Sequence, residues 1–332
     1  MKYNFKNLVL EGGGVKGLAY IGSLNVLDKK GILKNIDRVA GSSAGAIVAL
    51  LIGLDYSMKE IEEILKTTNI MDFLDDDWGV IRDTIRFFRE YGIYPGDSFR
   101  VWIGKLIEEK TGNSECTFKD FHDKGIGPDM YFLGTNLSTG FSDVFSFEHT
   151  PSTCIADAVR MSMSIPLFFK AVEVGNGDIY VDGGLINNYP IRLFDHEIYT
   201  KGNYSIPEFY EKQNKRLPES KNPFVYNKET IGFRLDSKEE IDVFNGIGKP
   251  ARRKINNFFD YSSAIVETIL ESQSNIHLNS HDWHRTIYID TLGVTTIEFD
   301  ISEEKKLDLI ESGRKNTEKY FEWYDNSEAL NK

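Results

Sequence analysis

Three short glycine-rich stretches hold the residues whose types and spacing could do chemistry. Gly41-Ser42-Ser43-Ala44-Gly45 fits Gly-x-Ser-x-Gly, with Ser43 at its centre. A serine on a tight strand-to-helix turn projects its hydroxyl clear of a sheet, and small neighbours permit the strained backbone it needs. Glu11-Gly12-Gly13-Gly14-Val15-Lys16-Gly17 supplies consecutive backbone N–H groups with no side chains in the way, as an oxyanion hole requires, and Lys16 adds a cation. Asp182-Gly183-Gly184 places a carboxylate at a strand end. An aspartate can take a serine proton directly when burial raises its pKa. Taken singly, each stretch is open to a plainer reading: a chance pentapeptide, a turn that lets a helix approach a strand, a loop. Their weight comes from occurring together, in this order, each after a short apolar run.

The elements around them define where these turns lie. Leu8-Val9-Leu10 reads as a buried strand, and residues 15–30 as an amphipathic helix closed by Gly31. Asp37 to Ala40 reads as a second strand, and Ala44 to Leu54, apolar on nearly every face, as a buried helix whose N-terminus points at Ser43. Residues 57–125 read as mostly helical. Met130–Gly134 and Val144–Phe147 read as strands around the turn-rich TNLSTG, Ile155–Met163 as a helix, and Ile179–Val181 as another strand. Such alternation predicts an α/β fold: a parallel-sheet core flanked by helices on both faces, with ligand chemistry at the carboxyl ends of the strands. One core unit is expected over residues 8–195. The rest, 196–332, is expected to elaborate that unit, with an exposed insertion at about 200–230, strands at 231–235, 286–290 and 295–299, a helix near 252–275 and a charged terminal helix.

Bulk properties narrow the partners. A net charge of −12 over 332 residues argues against nucleic acid as a partner, since phosphate binding needs clustered Lys and Arg. With 41 % hydrophobic and 27 % charged residues the composition is that of a globular chain. Cys116 and Cys154, the two cysteines, have no metal or redox spacing, which fits a reducing, cytoplasmic setting. The opening MKYNFKNLVLEGGG lacks the apolar core of a secretory leader, and the apolar run from Ala44 to Leu54 is too short to cross a bilayer. One local exception to the acidic surface stands out. In residues 78–91, Trp78, Ile81, Ile85 and Phe88 share one helical face and Arg82, Arg86 and Arg89 an adjoining one. That pattern suits a helix touching a membrane surface, though an ordinary helix packed on the sheet would show it too.

The three stretches together resemble the signature blocks of patatin-like phospholipases, and the likeness runs over roughly residues 8–195, with weaker matches at GIYPGDSFR (92–100), TNLSTG and MSMSIPLFF (161–169). Glu11 stands where that family commonly has Asp, and Lys16 where Arg is common. The resemblance implies a patatin-like three-layer α/β/α sandwich and hydrolysis of acyl esters in phospholipids or related lipids, without metal or cofactor. It implies Ser43 as nucleophile, Asp182 as base and Gly12, Gly13 and Gly14 as the oxyanion hole. Lys16, Gly17, Gly41, Gly45, Gly183 and Gly184 complete the motifs.

Two other enzyme classes share parts of this pattern. Gly12, Gly14 and Gly17 satisfy Gly-x-Gly-x-x-Gly, and Asp37 lies 20 residues beyond, as in a dinucleotide site. Yet Asp37 begins the second strand, where a ribose-binding acid should end it. An α/β-hydrolase would need a histidine, for which His277, His281 and His284 are the cluster available. They read more simply as a polar helix end and loop.

Overall fold

The computed structural model describes residues 3–68, 73, 92–238, 242, 249, 252, 254–256, 258–275, 281–296, 298 and 300–328. Eight strands form one sheet: β1 (Asn7–Leu10), β2 (Arg38–Gly41), β3 (Asp129–Asn136), β4 (Phe141–Phe145), β5 (Val172–Glu173), β6 (Ile179–Asp182), β7 (Thr230–Asp236) and β8 (Thr286–Asp290). Their order is β8-β7-β1-β2-β3-β6-β5, with β4 paired to β3. The five strands from β8 to β3 run parallel, whereas β6 pairs antiparallel with β3, setting Asp182 opposite Gly134.

Strand periodicity divides the core. Leu8, Leu10 and Val39 enter one apolar cluster, while Val9 and Ala40 enter another with Tyr131, Tyr189 and Phe194. Side chains that alternate across a pleated sheet, apolar on both sides, require cover on both faces. The first face is covered by α1 (Ala19–Lys29) and α2 (Ala44–Gly53), and α3 (Met58–Thr67), opened by a Ser57–Glu60 capping box, packs on α1. The mostly parallel sheet flanked by helices is thus the α/β architecture expected from the alternation of elements.

Residues beyond 195 build this same sheet rather than a layer outside it. β7 and β8 extend it past β1, and the last helix, α10 (Glu303–Asn326), lies along α1. The two helices meet backbone to backbone: a Cβ at Gly22 would stand 1.9 Å from the Ile310 carbonyl oxygen. Between α3 and α10 lie α4 (Asp97–Thr111), α5 (Phe118–Lys124), α6 (Ile155–Ser162), α7 (Gly184–Asn187), α8 (Glu208–Asn214) and α9 (Phe258–Asn275).

Two expectations need correction. The stretch 200–230 is not wholly an exposed insertion. Tyr210 of α8 is buried and donates to Asp195 Oδ2 at 2.5 Å, and Val225, Tyr226 and Asn227 are buried at its end. Asp195 in turn accepts from both terminal nitrogens of fully buried Arg285, at 2.6 and 2.7 Å, and Arg285 also reaches Asp282 at 2.7 Å. A paired buried charge fixes what an absence of sequence period did not reveal. At 295–299, Thr295, Thr296 and Glu298 form loop and turn, not strand; the Thr295 N–H turns back to the Glu298 carboxylate at 3.2 Å. The arginine-bearing segment 78–91 and His277 lie outside the described residues.

Because Arg285 pairs with the buried carboxylates of Asp195 and Asp282, the second shared with Arg192, Arg285→Met should destabilise the chain by about 3–5 kcal/mol. A urea titration followed by circular dichroism measures this. A midpoint equal to that of the wild type would show the network to be dispensable.

Candidate functional site

The site is assembled at the carboxyl ends of β1, β2 and β6. Ser43 lies two residues past the end of β2, immediately before α2, and has φ 52°, ψ −127°, a left-side conformation that a side-chain-bearing residue adopts only when its surroundings impose it. Those surroundings are close. A Cβ at Gly41 would fall 2.2 Å from the Gly45 carbonyl oxygen, and one at Gly45 would fall 2.5 Å from that of Leu10. The strand, the elbow and the first turn of α2 therefore fit together only without side chains at 41 and 45. The Ser43 N–H donates to Ser162 Oγ at 3.1 Å.

Asp182 ends β6 and is buried. Its Oδ1 accepts the Gly184 N–H at 2.7 Å, while Oδ2 is buried with no aligned hydrogen-bond partner among the described residues. Burial drives its pKa up, and the neighbouring Ser43 hydroxyl and the Gly184 N–H pull it part of the way back, leaving it at about 7. The Ser43 hydroxyl thus lies within the carboxylate's influence, but without the alignment of a full hydrogen bond.

One short segment grips both residues. Ser162, at the end of α6, accepts the Ser43 N–H, and the Ser164 carbonyl accepts the Asp182 N–H at 2.8 Å. Buried Arg160 holds that turn from behind, donating to Ser164 Oγ at 2.6 Å, Lys170 O at 3.0 Å and Pro95 O at 2.7 Å. GIYPGDSFR and MSMSIPLFF are therefore partners in one support. TNLSTG steadies β6 in a similar way. Its Asn136 caps its own turn at the Ser138 and Thr139 N–H groups and binds Asp178 and Tyr180 of the β6 approach.

Each of the three glycines after Glu11 is packed by a different later residue. A Cβ on Gly12 would lie 2.4 Å from Asn188 Oδ1 and 2.9 Å from Ser43 Cβ; one on Gly13 would lie 2.6 Å from Leu235 Cδ1; one on Gly14 would lie 1.9 Å from the Thr296 carbonyl oxygen. Asn188 also accepts the Gly12 N–H at 3.1 Å and donates to the Gly12 carbonyl at 3.1 Å. The expected three-donor hole is narrowed by this: the Gly12 N–H is already spent, whereas those of Gly13 and Gly14 meet no acceptor among the described residues. Glu11 anchors the loop from its other end, its carboxylate accepting the Leu235 N–H at 2.6 Å and its carbonyl the Tyr20 hydroxyl at 2.6 Å. Lys16 is buried beside Gly13, and Gly17 faces Ala44. Gly183 and Gly184 let the base loop pass the Leu133 carbonyl and the Leu270 side chain.

Sequence reasoning did not single out Ser162, Asn188, Leu235 or Thr296. Only the first belonged to a quoted segment. The described histidines bond elsewhere: His122 to Asp129, His149 to Ser146 and His196 to the Asn222 carbonyl, while His281 and His284 stack on Phe209 and Trp283.

With this geometry in hand, relatives define the class. Residues 8–195 match the family profile described as patatin-like phospholipase, and the chain belongs to that family. Its class is that of the lipid ester hydrolases. YqhO of Bacillus subtilis is 29 % identical over 324 residues, covering 93 % of this chain and 96 % of YqhO. The probable lipid hydrolase 463L of invertebrate iridescent virus 6 is 29 % identical over 190 residues, covering 57 % of this chain and 63 % of its own. The crystal structure of VipD from Legionella pneumophila superposes with a TM-score of 0.56 at 19 % identity, covering 96 % of this chain and 67 % of VipD, a likeness of fold.

The raised pKa of Asp182 carries a stability consequence. Between its ordinary value of 3.8 and about 7 the folded chain holds a proton that the unfolded chain has released, so this group lowers stability as pH rises through that window. Asp182→Asn should therefore melt above the wild type at pH 8, with the difference closing at pH 4. An equal or lower melting temperature at pH 8 would mean the carboxylate is not buried as described.

Proposed function

We propose that the chain hydrolyses acyl esters of phospholipids through a Ser43–Asp182 dyad and an acyl-enzyme. Ser43 Oγ attacks the acyl carbonyl while its proton passes to Asp182 Oδ2. The oxyanion is received by the Gly13 and Gly14 N–H groups, with the N-terminus of α2 adding favourable potential. Asp182 then returns the proton to the departing alcohol oxygen as the tetrahedral intermediate collapses. In the second half a water gives its proton to Asp182 and attacks the Ser43 ester; the intermediate collapses to free fatty acid, and Asp182 returns the proton to the departing Ser43 Oγ.

The observation that carries this reading is the pairing of a strained serine with a buried carboxylate that has one unmatched oxygen and a pKa of about 7. A base poised there is half ionised near neutrality and strong enough to take a proton from a hydroxyl in the transition state. Gly12 acts as a spacer in this scheme, letting Ser43 and Asn188 close on the loop.

Ser43→Ala and Asp182→Asn should each lower hydrolysis of mixed phospholipid vesicles by about three orders of magnitude or more, with the fold retained. Mass spectrometry of the released fatty acids and lysolipids reads the loss. Retention of more than about a tenth of wild-type activity by either variant would remove that residue from the mechanism. The base must be ionised to act, so kcat/KM should fall as pH drops below about 7 and level off above it. A flat profile between pH 5 and 8 would argue against Asp182 as the base.

A further inference from the structure

A cavity of about 70 Å³ opens beside the oxyanion loop, between the turn that follows it, α2, α3 and α4. Gly14, Leu18, Ala44, Ile47, Leu65 and Trp102 line it. Two of these belong to the reaction site itself: Gly14 offers an oxyanion donor, and Ala44 directly follows Ser43. Ala44, Ile47 and Val48 recur at helical spacing on α2, so the cavity runs down one face of that helix away from the nucleophile. Leu18, Leu65 and Trp102 are half-buried, apolar surface that water still reaches.

The charged residues at its border are not arranged to hold an anion. Lys66 and Lys306 both border the cavity, yet their ammonium groups pair with Glu62 at 2.5 Å and Glu303 at 2.7 Å. What they contribute is their methylene stems, with the charged ends kept at the water. Among the described residues both cations that line the cavity are already paired, whereas a hydrocarbon chain would meet apolar walls.

We infer that this cavity receives the first part of the acyl chain whose carbonyl sits at Gly13 and Gly14, and so sets the enzyme's chain-length preference. The inference rests on the proposed acyl transfer at Ser43, and adds where the hydrocarbon goes. Leu65 is the residue through which to test it, because it lines the cavity from α3 and touches none of the reacting groups.

Wild type, Leu65→Trp, Leu65→Ala and Thr68→Trp would be assayed on p-nitrophenyl acetate, butyrate, octanoate and decanoate, with Ser43→Ala as the blank. Folding would be checked by thermal melts. Wild-type kcat/KM should rise with chain length. Leu65→Trp and Thr68→Trp should keep the acetate rate and lose at least about tenfold on decanoate, the scale on which small steric changes in an apolar pocket discriminate. Leu65→Ala should keep or raise the decanoate-to-acetate ratio. If either tryptophan variant loses the acetate rate through misfolding, the ratio in the other, set against Leu65→Ala, decides. An unchanged ratio in the folded variants would overturn the cavity assignment while leaving Ser43 chemistry standing. Wild-type activity no greater than that of Ser43→Ala on every ester would instead overturn the acyl-transfer reading.

Discussion

A carboxylate buried at the end of a strand, with one oxygen held by a backbone N–H and the other unmatched, is the constraint on which this structure depends. Burial without enough donors raises the pKa of Asp182 and costs the fold stability; in the proposed reaction that shift is what would let it serve as a base for a hydroxyl. The Ser43 backbone adds a second unfavourable element, a left-side φ on a residue with a side chain. Both persist because the surrounding chain over-determines them. The turn from Ser162 to Ser164 holds the Ser43 N–H by a side chain and the Asp182 N–H by a carbonyl, and Arg160 fixes that turn to the Pro95 carbonyl.

The glycine loop shows how late parts of the chain define an early motif. Asn188, Leu235 and Thr296 fill the places where the Cβ atoms of Gly12, Gly13 and Gly14 would be. Leu235 belongs to β7, which pairs with β1 in register, so the strand past residue 195 brings both a wall for Gly13 and an N–H for Glu11. The buried Arg285–Asp195–Asp282 cluster and the close α1–α10 contact tie that later half to the first. A longer carboxylate at position 11 suits this arrangement, since Glu11 reaches across to the neighbouring strand's main chain.

Local features were legible in the sequence where a physical signal repeats or stops. Apolar runs ending in glycine marked β1, β2 and β6, and the unbroken apolar stretch after Ser43 marked α2. Ser43, Asp182 and the glycine loop, which the fold brings together, stand out in the sequence because three rare turns occur in one order. What the sequence did not disclose depends on partners far along the chain. The antiparallel entry of β6 beside β3 and the insertion of β7 between β1 and β8 are choices of neighbour, which alternation of elements does not encode. Tyr210 looked exposed because its cover, Asp195 and Arg285, is an ion pair rather than an apolar period. Asn188 and Ser162 are ordinary polar residues whose role comes from position, and the Asn187-Asn188 pair shortly after Asp-Gly-Gly was the only hint. The resemblance implies Gly12 as a third donor, whereas its N–H meets the Asn188 carbonyl, a contact that depends on a residue far along the chain.

The central claim, that Ser43 is a nucleophile made reactive by buried Asp182, is tested most directly by covalent trapping. The chain would be treated with an alkyl fluorophosphonate, and intact mass and peptide mapping followed over time from pH 5 to 8. The account predicts a single adduct on Ser43, forming faster as pH rises through about 7 and at least about a hundredfold more slowly in Asp182→Asn. No adduct, an adduct on another residue, or undiminished labelling of Asp182→Asn would contradict it.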